Sequence, residues 1–298
     1  MIHYLILAHK NFKQVELLAK ELKTNNSKVY IHWDGRLTDF PKIKWIEYIK
    51  NRIKCNRWGF SITKAYISWI KEIFEFMKDG DHLVVISWQC FPIKKTEIIE
   101  QYINNLWDIS CVRYYKAPEK YMINWIDRYY FNDISIFKPL NNFLYNLIEK
   151  CWHKMNGTKS WIINIIIGKI VSFILPRRKY ICENYEIYKS NAWFCFSYLH
   201  VKYMIDFLNT EKWKKYYHSF EYTHIADEIF FWTLLLNSPY KRQIKNDLLR
   251  FIKFEGKTSS PVILTVDNFD ELKGSEKLFA RKFDMSVDEA ILKKIKNV

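Results

Sequence analysis

Short apolar runs alternate with amphipathic helical patterns over the first 115 residues. Apolar segments of five to seven residues fit strands, whereas apolar residues spaced three and four apart fit helices. In chain order the pattern predicts strands at 2–8, 29–33, 82–87 and 109–115, and helices at 12–22, 62–77 and 96–106. Strands that alternate with helices are typical of βαβ units. The sequence therefore predicts an α/β fold with a mainly parallel central sheet.

The pattern becomes aromatic and helical, without strand signals, from residue 116 to 188. Beyond it, extended runs are predicted at 192–196 and 249–254, and helices at 200–208, at 227–236 and from residue 287. With 7 Gly and 7 Pro in 298 residues, no Gly/Ser-rich or Pro-rich linker separates these parts. We expect one domain with a nucleotide-binding half (1–115), a helical insertion (116–188) and an acceptor and catalytic half (189–298).

Ligands of open α/β sheets bind beyond the carboxyl ends of the strands. His9, Asp34 and the run from Ser87 to Cys90 follow the predicted strands at this edge. The turn after the first strand is Ala-His-Lys-Asn and contains no glycine, which excludes a glycine-rich dinucleotide turn or a P-loop there. Side chains must therefore recognise the nucleoside. A loop Asp34 that only caps the next turn is the structural alternative.

The chain carries 47 Lys+Arg against 32 Asp+Glu, a formal net charge of +15. This balance favours phosphorylated substrates, anionic lipid or nucleic acid, although biased codon usage would also give a Lys-, Asn- and Ile-rich chain. The six cysteines lack C-x-x-C spacing, so we expect free thiols. The first residues resemble a strand rather than a signal peptide. We therefore expect a cytoplasmic protein.

The most apolar window runs from Trp161 to Leu175, and basic residues extend it to Lys179. Its length of about 15 residues is below the roughly 20 that a helical bilayer span needs. An interfacial helix on an anionic membrane is one interpretation of the segment from Trp161 to Lys179, and a buried core helix is the other.

Two acidic pairs are candidates for chemistry. Asp227 and Glu228 precede a predicted helix, where carboxylates are favoured electrostatically, and either would serve as a general base if it faced a cleft. Asp79 and Asp81 form a D-x-D motif, but they precede the strand at 82–87 and so lie at the amino edge of the sheet. No other cluster has metal-ligand spacing, and we expect no metal ion.

The run from Leu278 to Asp284 places Arg281 and Lys282 between apolar anchors, which suits a diphosphate. The alternative is a surface helix end with solvated cations.

Taken in order, several motifs resemble the core-2/I-branching β-1,6-N-acetylglucosaminyltransferase family, which is related to the peptide O-xylosyltransferases. The motifs are His3 to His9 with Lys10, Tyr30 to Asp34, Trp58 to Ser61, Ile86 to Lys94, Ser190 to Phe194, Ala226 to Glu228, Asn246 to Arg250 and Leu278 to Asp284. The likeness runs nearly end to end and is poorest in the middle third.

This resemblance implies a GT-A-like fold and an inverting transfer from a UDP-sugar without a metal ion or other cofactor. Glu228 would be the general base, and the acceptor would be a glycan or a lipid-linked oligosaccharide. The residues expected to bind the donor are His9, Asp34, Arg250, Arg281 and Lys282. The residues expected to shape the acceptor and sugar pocket are Trp58, Trp88, Gln89, Trp193 and Asp227.

The sequence departs from the family pattern at two places in the site. The family's Ser-Gly-x-Asp is Ser87-Trp88-Gln89-Cys90 here, without the glycine and the acid. The family's diphosphate arginine would fall near Ser259 and Ser260, which leaves Arg250, Lys257 or Arg281 as substitutes. UDP-galactofuranose or UDP-xylose is the alternative donor. A basic nucleic-acid-binding protein and an inactive membrane-associated scaffold are alternatives from other classes.

Overall fold

The protein was analysed as a computed structural model that describes residues 1–56, 58–117, 126, 130, 133, 185–256 and 260–296. Twelve strands occur in these ranges: β1 (Ile2–Ala8), β2 (Ser27–Trp33), β3 (Glu47–Tyr48), β4 (His82–Ser87), β5 (Cys90–Pro92), β6 (Ser110–Cys111), β7 (Tyr114–Lys116), β8 (Tyr188–Ser190), β9 (Phe194–Ser197), β10 (Ile244–Lys245), β11 (Arg250–Ile252) and β12 (Phe279–Arg281). The α-helices there are α1 (Phe12–Leu22), α2 (Phe60–Phe74), α3 (Thr96–Asn104), α4 (Tyr198–Leu208), α5 (Glu211–Phe220), α6 (Phe230–Leu236), α7 (Phe269–Gly274) and α8 (Ala290–Lys296).

The central sheet has seven strands in the order β10-β6-β9-β4-β1-β2-β3. β3, β2, β1 and β4 run parallel, whereas β9 is antiparallel to both β4 and β6. The sequence-based prediction of an α/β fold with a mainly parallel sheet is confirmed. A three-stranded sheet (β11-β12-β5) and a two-stranded antiparallel sheet (β7-β8) accompany it.

The sheet separates two hydrophobic cores because successive side chains of a strand point to opposite faces. In β1, Leu5 belongs to one core, together with buried residues of α2, α4 and α6. Tyr4 and Ile6 belong to the other core, together with residues of α1, α3 and the small sheet. Burial on both faces explains why the strands appear in the sequence as continuous apolar runs.

Most of the predicted elements are present, with bounds that differ by a few residues. The predicted strand at 109–115 is split into β6 and β7, and α5 and α7 had not been predicted. The run from Leu278 to Asp284 contains buried β12 rather than the end of a surface helix.

The possible membrane segment from Trp161 to Lys179 lies outside the described residues, as does most of the predicted insertion at 116–188. Within the part of the chain that the structure describes, none of the helices combines the length and the apolar character of a bilayer span. The described cysteines, Cys55, Cys90, Cys111 and Cys195, are free thiols.

Candidate active site

The carboxyl ends of β1, β2 and β4 meet at one edge of the sheet. Ala8 pairs with Trp33, and Leu7 pairs with Ser87. The next backbone amides continue this pairing, since Asp34 N donates to Ala8 O at 2.9 Å and Trp88 N donates to Leu7 O at 2.9 Å. His9, Asp34 and the loop after Ser87 therefore emerge side by side, as their positions after the strands predicted.

Asp34 lies in a turn that is held by two arginines. Its carboxylate accepts hydrogen bonds from Arg36 N at 2.9 Å and Arg36 Nη1 at 3.3 Å. Arg52 donates to the carbonyls of Trp33 at 3.0 Å and Asp34 at 2.7 Å. The turn is therefore fixed before any ligand arrives, and neither arginine was singled out from the sequence.

His9 is exposed at the same edge, and its ring meets Trp88 edge-on with 5.6 Å between centroids. Partial desolvation and the neighbouring ammonium of Lys10 lower the pKa of His9. Lys10 lies 4.9 Å from the centre of the Trp88 ring and 3.6 Å from Asp284 Oδ2. Trp88 itself is buried, and its ring packs against the side chains of His9 and Lys10.

Arg281 is the last residue of β12 and Lys282 follows it, and both reach the same edge. The Arg281 guanidinium donates to Ser87 Oγ and lies 4.8 Å from the centre of the Trp193 ring. Lys282 Nζ lies 3.5 Å from Ser260 Oγ. Both side chains are half-buried, which strengthens their field relative to fully solvated cations. Next to them, the carbonyl of half-buried Gln89 accepts from Phe283 N at 2.9 Å.

Arg250 lies deeper than Arg281 and Lys282. It is buried, and its guanidinium donates to the carbonyls of Leu248, at 3.2 Å, and Val85. Arg250 therefore lies beneath the edge, where its guanidinium binds backbone carbonyls. The sequence analysis had grouped it with the cations expected to bind the donor.

Cys90 stands where the resembled family has an acid, and its thiol lies 3.5 Å from Ser87 Oγ. Burial alone would raise the pKa of this thiol, but the guanidinium groups of Arg281 and Arg250 outweigh burial and lower the pKa. Two cations thus still face this position although the carboxylate is replaced.

Asp227 and Glu228 lie in a 3₁₀ turn (Ala226–Glu228) that precedes α6, rather than in the helix itself. The turn is entered through Ile225, whose φ of 51° is in the left-handed region that a β-branched residue rarely adopts. Ile225 N donates to Trp58 O at 3.3 Å, and Trp58 also has a positive φ of 63°. Backbone strain of this kind is concentrated at functional sites.

The two carboxyl groups have different surroundings. Asp227 is 8% exposed, and within the described residues its Oδ1 has no hydrogen-bond partner. Burial, and then the neighbouring charge of Glu228, raise the pKa of Asp227 to about 7. The Glu228 side chain is 29% exposed and lies 3.1 Å from Lys189 Nζ. Glu228 is therefore the more exposed of the two carboxyl groups.

Tyr66 of α2 connects this turn to the cations at the strand ends. Its hydroxyl donates to the carbonyl of Ala192 at 2.8 Å, next to Trp193. Burial raises the pKa of Tyr66, and its hydroxyl lies within electrostatic range of Asp227, Arg250 and Arg281. Tyr66 therefore lies near Asp227, the neighbour of the candidate base, and near the two arginines.

Aromatic rings lie beside the Glu228 turn. The half-buried Trp58 ring is 5.7 Å from His224, which is 4.8 Å from Tyr130. After Trp58 the chain enters α2, whose first turn is capped by Asp133: Ser61 N donates to Asp133 Oδ2 at 2.7 Å. A Cβ on Gly59 would lie 2.2 Å from Asp133 Oδ1, which explains the glycine.

The D-x-D motif lies at the opposite edge of the sheet, as predicted. Asp81 directly precedes β4, and its Oδ2 is 3.0 Å from Nε2 of buried His3. Asp81 therefore makes a structural contact with His3 at the amino ends of the strands. Among the described residues, no three His, Cys, Asp or Glu side chains are grouped closely enough to hold a metal ion.

Comparison with known proteins agrees with this architecture. A family model described as Core-2/I-Branching enzyme matches residues 2–273. No curated protein matches the chain. The family match, together with the mostly parallel sheet, identifies a GT-A-like glycosyltransferase domain that uses a nucleotide sugar and a glycan acceptor.

Proposed function

The chain belongs to the core-2/I-branching enzyme family, and from that premise we propose an inverting transfer of one sugar from a UDP-sugar to an acceptor hydroxyl. The sugar is N-acetylglucosamine or another hexose. The acceptor is a glycan or lipid-linked oligosaccharide of surface-polysaccharide synthesis, such as capsule or lipopolysaccharide. The observation that carries this proposal is the partly exposed Glu228 carboxylate, held 3.1 Å from Lys189 in the turn that precedes α6.

In this reaction the acceptor oxygen attacks the anomeric carbon while Glu228 accepts its proton. The bond from the anomeric carbon to the diphosphate breaks, and UDP leaves with the electron pair. A carboxylate is an effective base only within about 3 Å of the hydroxyl, which requires the access that Glu228 has and buried Asp227 lacks.

Arg281 and Lys282 would stabilise the negative charge that develops on the departing UDP. Preorganised cations that face developing charge are a large source of rate enhancement. Because these two side chains can supply that charge, metal-independent action is part of the proposal. His9 and Asp34 would hold the uridine, and Trp193, Trp58 and Gln89 would contact the sugars, with aromatic rings against pyranose faces.

The basic surface and the segment from Trp161 to Lys179 would hold the enzyme at the inner face of an anionic membrane, near lipid-linked acceptors. With a net charge of +15, the protein has the electrostatic attraction that such binding requires.

Release of UDP tests the proposal. Purified enzyme is incubated with lipid-linked oligosaccharides and, separately, UDP-N-acetylglucosamine, UDP-galactofuranose and UDP-xylose, with and without EDTA. We expect acceptor-dependent UDP release with one donor and an unchanged rate in EDTA. Loss of turnover in EDTA would contradict metal independence. No turnover with any donor, together with tighter binding of random-sequence DNA than of UDP, would favour the nucleic-acid-binding alternative.

A further inference from the structure

Lys189 pairs with the candidate base from a different part of the chain. It is the central residue of β8, and its ammonium lies 3.1 Å from Glu228 Oε2. The lysine side chain is 16% exposed and the glutamate side chain 29%. Little water therefore screens the pair, and its interaction exceeds that of a fully solvated ion pair.

Hydrogen bonds to side chains of α6 and of the residue after it fix the backbone of the segment that carries Lys189. Tyr188 N donates to Thr233 Oγ1 of α6 at 3.2 Å. Asn237, which follows α6, donates to Glu186 O at 2.8 Å and accepts from Glu186 N at 3.0 Å. The segment that carries Lys189 is thus bonded to the helix that directly follows the Glu228 turn, and the contact does not depend on a flexible loop.

Three other titratable groups described near the turn are uncharged near pH 7. Burial and the charge of Lys189 lower the pKa of His224 to about 4, so the ring is neutral. Burial raises the pKa values of Tyr66 and Cys55, which are also neutral. Asp227 would repel a second carboxylate when ionised. Lys189 is the cation that the structure places against Glu228.

We propose that Lys189 is a positioning residue that holds the Glu228 carboxylate towards the acceptor hydroxyl. This inference rests on the proposed role of Glu228 as the base. After proton transfer Glu228 is neutral, and the negative charge has moved to the departing UDP.

The separate effects on kcat, on UDP affinity and on stability test the inference. We expect Lys189→Met to lower kcat by about 10-fold or more, because a displaced base loses part of the roughly 10²–10⁴-fold that general base catalysis contributes. Its UDP affinity and its free energy of unfolding in urea should stay at the wild-type values. Lys189→Arg should restore kcat, since it keeps the positive charge. Wild-type kcat in Lys189→Met, or a loss of kcat that accompanies lower stability and that Lys189→Arg does not restore, would overturn the inference.

Lys64→Met is the matched control, because Lys64 pairs with Glu221, whose side chain is also 29% exposed, at 3.9 Å. This variant should leave kcat unchanged. If Lys189→Met does not fold, Lys189→Gln provides the uncharged variant.

A second arm separates this inference from the proposed function. If Glu228→Gln is inactive but Lys189→Met keeps the wild-type kcat, the Lys189 inference alone fails. If Glu228→Gln remains fully active, the proposed base fails.

Discussion

Two adjacent carboxyl groups acquire different properties in one turn. Asp227 is enclosed and its ionisation is opposed by burial, whereas Glu228 is partly exposed and paired with Lys189. In active sites, paired carboxyls whose surroundings differ in this way take different roles. We therefore propose proton abstraction for Glu228, whereas Asp227 is a buried group that limits stability at neutral pH.

Asp227→Asn tests this burial. Because the folded-state pKa is raised from 3.8 to about 7, the folded protein holds a proton that the unfolded chain has lost, and the wild type loses stability as the pH rises between these values. The variant has no such loss. We expect its stability advantage over the wild type to grow by about 2–3 kcal/mol between pH 5 and pH 8, measured by urea unfolding.

Asp39→Asn, at an exposed position, is the control for this measurement. Its difference from the wild type should stay small at both pH values. A difference between Asp227→Asn and the wild type that does not vary with pH would contradict the raised pKa.

Some site residues could be predicted from the sequence, and others could not. His9, Asp34 and Glu228 belong to short motifs next to recognisable elements, so position alone marked them as candidates. Lys189 is 39 residues away from Glu228 in the chain, and Asp133 caps a helix that begins more than 70 residues earlier. Such contacts depend on how the elements pack, and no local pattern records them.

At the scale of elements, α1 connects the two loops that form the donor edge. Gln14 is buried, and its amide donates to Trp88 O at 2.9 Å and Phe283 O at 3.1 Å. Its side-chain oxygen accepts from Met285 N at 2.8 Å. One side chain therefore joins the loop after β4 to the segment after β12, which carries Lys282.

Gln14→Leu should destabilise the protein, because two buried carbonyls and the partly buried Met285 N–H lose their partner, and each unsatisfied buried group costs about 1–3 kcal/mol. We expect the free energy of unfolding in urea to fall by at least about 2 kcal/mol. Gln101→Leu, at an exposed position on α3, is the matched control and should have little effect. Equal stability of the two variants would show that Gln14 does not join these loops.

The length of an element decided whether the sequence revealed it. Long strands such as β1 and β4 are continuous apolar runs, and their bounds were predicted correctly. β5 and β12 have three residues each, which is too short for any periodicity, and neither was predicted. Helix α5 did carry a signal, since Trp213, Tyr216, Tyr217 and Phe220 have helical spacing, but the lysines between them obscured it.

At the scale of the whole molecule, the candidate site residues and a structural contact lie at opposite edges of the sheet. Asp34, His9, Arg281 and Lys282 lie at or near the carboxyl ends of strands, whereas Asp81 pairs with His3 at the amino ends. This polarity follows from the parallel strands, because their carboxyl ends share one edge. It was enough to recognise that the strands are parallel in order to predict at which edge of the sheet the candidate donor-binding residues would lie.

The central claim is that Glu228 removes the acceptor proton. The most direct measurement compares UDP release and UDP binding in wild type, Glu228→Gln and the control Glu221→Gln, whose glutamate has the same 29% side-chain exposure. We expect Glu228→Gln to lose at least about 100-fold in kcat, since general base catalysis contributes about 10²–10⁴-fold, while its UDP affinity stays at the wild-type value. Glu221→Gln should keep both. Wild-type turnover in Glu228→Gln would contradict the account.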